Sequence, residues 1–102
     1  MRANKAPKVC SPVEEAINKR FFVAIEELVL LGRLSALESF CKEAGLSASR
    51  YREMRATYGV APRPDHVSRY KSLQIEAVYT LTTKYGVSAN WLITGRGKIL
   101  KA

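Results

Sequence analysis

Residues 37–56 read LESFCKEAGLSASRYREMRA. Two short helical runs stand on either side of Gly45, Leu46 and Ser47. In the first run Leu37, Phe40, Cys41 and Ala44 recur at three- and four-residue steps, so they share one face. In the second, Tyr51 and Met54 turn inward, with the aliphatic stem of Arg55 beside them. Ser35-Ala36-Leu37-Glu38 reads as a capping box that starts the first run, and Ser47 caps the second. A three-residue turn containing glycine makes two helices cross steeply, because glycine takes the left-handed angle that other residues resist. Cys41 supplies the small residue four positions before it, where the helices touch. Helix 2 is therefore expected to last about nine residues, and helix 3 to cover 48–57.

The same signals continue in both directions. Ser11-Pro12-Val13-Glu14 is a capping box with proline at the first helical position. Val13, Ile17, Phe21, Ile25, Leu28 and Leu31 then form one stripe, and Gly32 is the stop, which predicts helix 1 over 12–31. Downstream, GVAPRPDHVSRYKS (59–72) has two prolines and no period. It predicts a long loop with a short helical turn after Asp65. Leu73, Ile75, Val78, Leu81 and Tyr85 predict helix 4 over 73–85, ended by Gly86. Ser88 caps a short helix 5 from Ala89 to Thr94, closed by Gly95. Trp91 reads as core, as do Tyr70, Tyr79 and Tyr85, with loop-borne Tyr70 also able to reach a phosphate. The expectation is an all-α fold of five helices.

The chain has 102 residues, 47% hydrophobic and 25% charged, which suits one folded domain with a modest core. No apolar run nears the roughly 18 residues a membrane span needs. The start, MRANKAPKVC, is basic with no apolar segment behind it, so it does not read as a secretory signal and a cytoplasmic location is expected. Residues 1–10 read as a flexible basic tail and 11–102 as the domain. The net charge of +8 attracts polyanions, nucleic acid first. Two cysteines, Cys10 and Cys41, and one histidine, His66, make neither a disulfide framework nor a metal site. No paired carboxylates, nucleophile triad or glycine-rich phosphate loop is visible, so no enzyme, cofactor or small-molecule substrate is expected.

LESFCKEAGLSASRYREMRA resembles the helix-turn-helix of the lambda-repressor-like (Cro and repressor, XRE) DNA-binding domains. KYGVSANWLITGRGKIL (84–100) resembles the end of the phage-repressor N-terminal domain, where a "YGVS–x–x–WLLTG–x–G" segment closes the five-helix bundle. The resemblance covers about residues 17–100. Many relatives carry glutamine where Leu37 stands, helix 3 ends on Met54-Arg55-Ala56-Thr57 instead of Glu-Asn-Gly, and the 59–72 loop is longer than usual.

The resemblance implies a sequence-specific double-stranded-DNA-binding regulator, of the repressor type found on phages, plasmids or mobile elements. Helix 3 would lie in the major groove. By position the base-reading residues are Ser47, Ala48, Ser49, Arg52 and Glu53. Arg52 would donate two bonds to guanine, and Glu53 would accept from a cytosine amine or hold Arg52 in place. Phosphates would fall to Arg33 and Ser35 at the start of helix 2, Arg50 and Arg55 beside the reading face, and Arg69 and Lys71 in the loop. A homodimer would pair through helix 5 and the C-terminal tail. The alternative is a protein-interaction module of the same fold, such as an antitoxin-like protein whose tail and 59–72 loop wrap a partner.

Overall fold

The computed structural model describes residues 10–101. The tail cations Arg2, Lys5 and Lys8 lie outside them. Five helices are present among the described residues: α1 (Pro12–Leu30), α2 (Leu37–Ala44), α3 (Ala48–Tyr58), α4 (Ile75–Lys84) and α5 (Ala89–Thr94). None is long and apolar enough to cross a membrane.

The caps explain most boundaries. Ser11 Oγ accepts from the Glu14 amide while the Glu14 side chain accepts from the Ser11 amide, so the capping box of α1 forms as read. Ser47 and Ser88 cap α3 and α5 through the amides of Arg50 and Trp91. Gly45 at φ 73° stops α2 in the left-handed region. The box expected at Ser35 does not form. Ala36, in extended backbone, occupies the N-cap of α2 and gives no side-chain bond. Ser35 Oγ meets the hydroxyl of Ser39 instead.

Phe21 sits fully buried where the first three helices converge. Its ring lies 4.9 Å from Phe22, 5.6 Å from Phe40 of α2 and 5.7 Å from Tyr51 of α3. Pairs in such edge and tilted arrangements contribute about 0.5–1.5 kcal/mol each beyond their buried area. The stripe expected for α1 is too narrow and too long. Val13 and Leu31 are exposed, while Asn18, Phe22 and Ala24 join Phe21, Ile25 and Leu28 inside. Because α3 and α5 both contact α1, its buried arc is wider than a single stripe.

Two further expectations are corrected. Helix α4 begins at Ile75 rather than 73, and its inner face is Ala77, Thr80 and Leu81. Ile75 and Tyr79, one turn apart, face solvent at 73% and 64% exposure, so Tyr79 is not core. Trp91 is core, and Tyr85 is half-buried with its hydroxyl donating to Glu43. In the long connection no helical turn follows Asp65. The amide of His66 reaches the carbonyl of Arg63 at 3.3 Å, with Pro64 and Asp65 between them. Asp65 takes φ 64°, a third turn position that asparagine and aspartate tolerate better than other side chains.

The chain after α5 folds back antiparallel on the segment before it. Ser88 N donates to Ile99 O at 2.7 Å, Lys101 N donates to Gly86 O at 2.9 Å, and Val87 and Leu100 form the bridge between. Arg20 of α1 closes the other side. Its Nε and Nη2 donate to the carbonyls of Leu92 and Ile93 at 2.7 and 2.8 Å, which satisfies the end of α5.

Candidate nucleic-acid interface

Burial orients α3. Tyr51, Met54 and Tyr58 face the core, and the hydroxyl of Tyr51 accepts from the amide of Gln74 at 3.0 Å. Ser49, Arg52 and Arg55 are exposed, with Ser49 nearly opposite Tyr51 and Arg52 and Arg55 on the flank between. Arg55 thus does not tuck its stem inward as the sequence suggested. Ser47 and Ser49, exposed at the start of the helix, share a hydroxyl contact of 3.1 Å. Ala48 is half-buried and packs on the core.

Arg52 is half-exposed and pairs with Glu38 at the start of α2, at 3.3 Å. The residue that holds Arg52 is therefore Glu38, not Glu53. The Glu38 carboxyl lies below its ordinary pKa because its own backbone amide donates to it, with Arg52 and Arg55 adding to the effect against slight desolvation.

Glu53 is engaged elsewhere. Its Oε2 accepts from the backbone amide of Arg69 at 2.9 Å, and its Oε1 from Nη2 of Arg69 at 3.1 Å. These bonds from Arg69, side chain first and then backbone, hold the Glu53 carboxyl below the usual range. Its side chain is only 20% exposed, whereas that of Arg69 is 78% exposed.

Arg50 does not reach outward. It is half-buried, its Nη2 donates to the Ser72 carbonyl at 3.0 Å, and its guanidinium lies 4.5 Å from the centre of the Tyr70 ring. Its buried Nε has no hydrogen-bond partner among the described residues. This arginine, expected on phosphate, serves to fasten α3 to the segment before α4. Lys71 is half-buried with Nζ 2.6 Å from the Ser68 carbonyl, while Arg33 and Ser35 are exposed before α2.

The 59–74 segment therefore lies along one side of α3. Besides Arg50, Tyr51 and Glu53, it holds Thr57, whose hydroxyl meets Nδ1 of His66 at 2.6 Å. Its far end is tied to α1 through Asn18, which is buried and donates from Nδ2 to the Lys71 carbonyl at 3.0 Å. Cys10, assigned to the tail by its sequence position, is half-buried and donates its thiol to the same carbonyl.

Beside the outer face of α3 runs an open groove of about 1000 Å³ between α1, the start of α2 and residues 60–66. Arg52, Arg55 and Arg63 line it together with Val29, Ala56 and Val60. The sequence marks Glu38 only as part of a capping box and Arg63 not at all. Neither gives a local signal, since Glu38 is 14 residues from its partner and Arg63 gains its place from a turn.

Burial pushes the thiol of Cys41 up to about 11, with the nearby Glu38 charge adding to it. A buried thiol held in its neutral form is a packing residue, not a nucleophile. Among the described residues no group of three histidine, cysteine or acidic side chains could hold a metal ion. Comparison with protein-family models, curated proteins and solved structures found no match for this chain.

Proposed function

We propose that the chain is a sequence-specific double-stranded-DNA-binding regulator built on a lambda-repressor-like helix-turn-helix, a repressor of phage, plasmid or mobile-element type. One observation carries the reading. After the left-handed break at Gly45, α3 turns its aromatic side inward and leaves Ser49, Arg52 and Arg55 exposed. A helix-turn-helix lays its second helix in a major groove, which would set Arg52 at the base edges and Arg55, Arg33 and Ser35 toward phosphates. The +8 charge of the whole chain supplies the non-specific attraction. Pairing of two copies through α5 and the chain after it belongs to the same proposal.

Selection from a random DNA pool tests it. One enriched site is expected, with affinity falling as salt rises. Arg52→Ala should weaken that site by about tenfold or more and relax its sequence preference, since a bidentate contact is worth about 1–3 kcal/mol. A pool that enriches nothing would defeat the proposal.

A second reading is favoured by the groove beside α3. Its three arginines, set among Val29, Ala56 and Val60 and outnumbering the carboxylates of Glu26 and Glu53, suit a partner protein's acidic, apolar-anchored segment better than phosphate alone. A stoichiometric protein complex formed by a chain that selects no DNA site would establish it in place of the first.

A further inference from the structure

We infer that Glu53 is a positioning residue that presents Arg69, so that the 59–74 segment places a second guanidinium on the duplex-facing side beside Arg52. The inference rests on the DNA-binding reading. It reverses the assignment that position along α3 would give, in which Glu53 accepts from a cytosine amine.

Hydrogen-bond capacity separates the two roles. A carboxylate offers about four lone-pair directions on two oxygens. Glu53 gives one to the Arg69 backbone amide, one to Nη2 at 3.1 Å, and a third to Nε at 3.3 Å. The guanidinium lies over it, far more exposed than the acid beneath. One direction remains, on a carboxylate whose side chain is only 20% exposed, so a base amine could gain full access only by displacing Arg69 and exchanging several bonds for one.

Arg69 has donors left over. A guanidinium carries five N–H groups, and the edge formed by Nε and Nη2 faces Glu53. Both hydrogens of Nη1 and one of Nη2 remain, which form the end-on fork suited to guanine O6 and N7 or to a phosphate. The Tyr70 ring, 5.3 Å from the Arg69 guanidinium carbon, limits its swing. Arg52 is also paired with a carboxylate, by a single contact of 3.3 Å from Nη1 to Glu38 at the start of α2. The surface thus offers two carboxylate-held guanidiniums, and acceptor atoms on the duplex are what both would recognise.

The test is a cycle of Glu53→Gln, Arg69→Ala and the double variant. Each is measured by random-pool selection, by affinity for the wild-type site and by thermal melting. Arg69→Ala removes the donor and uncovers the acid, so affinity should fall by about tenfold or more. Adding Glu53→Gln should restore part of that loss, about threefold, by removing the uncovered charge. Glu53→Gln alone should alter base preference only where Arg69→Ala alters it. Arg69→Lys, which keeps the charge but not the fork, should retain the salt dependence and lose the preference.

A base position that Glu53→Gln changes and Arg69→Ala leaves intact would overturn the inference, because the acid would then read directly. Strict additivity in the cycle, with melting unchanged, would overturn it as well. A wild-type chain that selects no site would remove the DNA-binding reading and this inference together, an outcome distinct from either.

Discussion

Arginine closes two edges of this molecule, and it does so differently at each. On the α1–α5 edge, Arg20 donates to two carbonyls at a helix end and has short bonds to both. On the α3 edge, Arg50 donates to one carbonyl, rests on Tyr70 and leaves Nε without a partner. Its neighbours there, Arg52 and Arg69, are held by carboxylates at the surface. The first edge is fastened by a guanidinium on two backbone carbonyls, acceptors that neither titrate nor carry a net charge for salt to screen. The second is fastened by side chains whose charges can exchange partners. On the proposed DNA-binding reading the second way suits a surface that meets a polyanion, because its cations are held in place yet remain available.

The contrast can be tested from the strongest effect down. Tyr51→Ala removes a fully buried ring from beneath α3 together with the bond to Gln74. It should cost about 3–5 kcal/mol in denaturant unfolding, as large aromatic truncations do. Tyr51→Phe, which loses only the hydroxyl, should cost about 1 kcal/mol. Arg20→Ala should cost about 2 kcal/mol, with a salt-independent loss, because it orphans helix-end carbonyls. A loss that shrank in high salt would show that charge, not backbone satisfaction, closes that edge. Arg50→Lys keeps the charge but loses the planar fork and much of the stacking on Tyr70. A smaller cost of about 1 kcal/mol is expected in the same unfolding assay.

The smallest effect is acid sensitivity. Glu38 and Glu53 both have folded pKa values below the ordinary 4.5. Their contribution is complete above that value and is lost as pH falls through the lowered ones. Melting temperature should therefore drop below pH 4.5, and Glu38→Gln with Glu53→Gln should flatten that drop. Arg52, Glu38 and Arg69 are exposed enough for the change to be slight.

Much of the fold could be read in the sequence because its signals are local. Ser11, Ser47, Ser88, Gly45 and Gly95 act on residues within one turn, and each does what its position suggested. Ser35 failed because an equally local competitor, Ser39, sits one turn away and takes its hydroxyl. The inward faces of α1 and α4 were partly misread because periodicity marks a stripe but not the neighbours that widen or rotate it. Val13 and Ile75 are the cost of that.

The candidate site was legible only in outline. The sequence pointed to Arg52, but nothing near it in the chain announced Glu38. Glu53 and Arg50 were assigned outward roles because they lie on α3. Residues 16 and 22 positions further on claim them instead. Such assignments depend on where a long connection runs, and two prolines with no period do not reveal that.

That connection has one more property. The Lys71 carbonyl receives the Asn18 amide and the Cys10 thiol, from 53 and 61 residues earlier in the chain. A long surface segment usually opens on its own, ahead of the body it decorates. Here, lifting it would release the start of α1 in the same motion. The segment should therefore share the amide-exchange protection of the helices and melt with them as one cooperative unit.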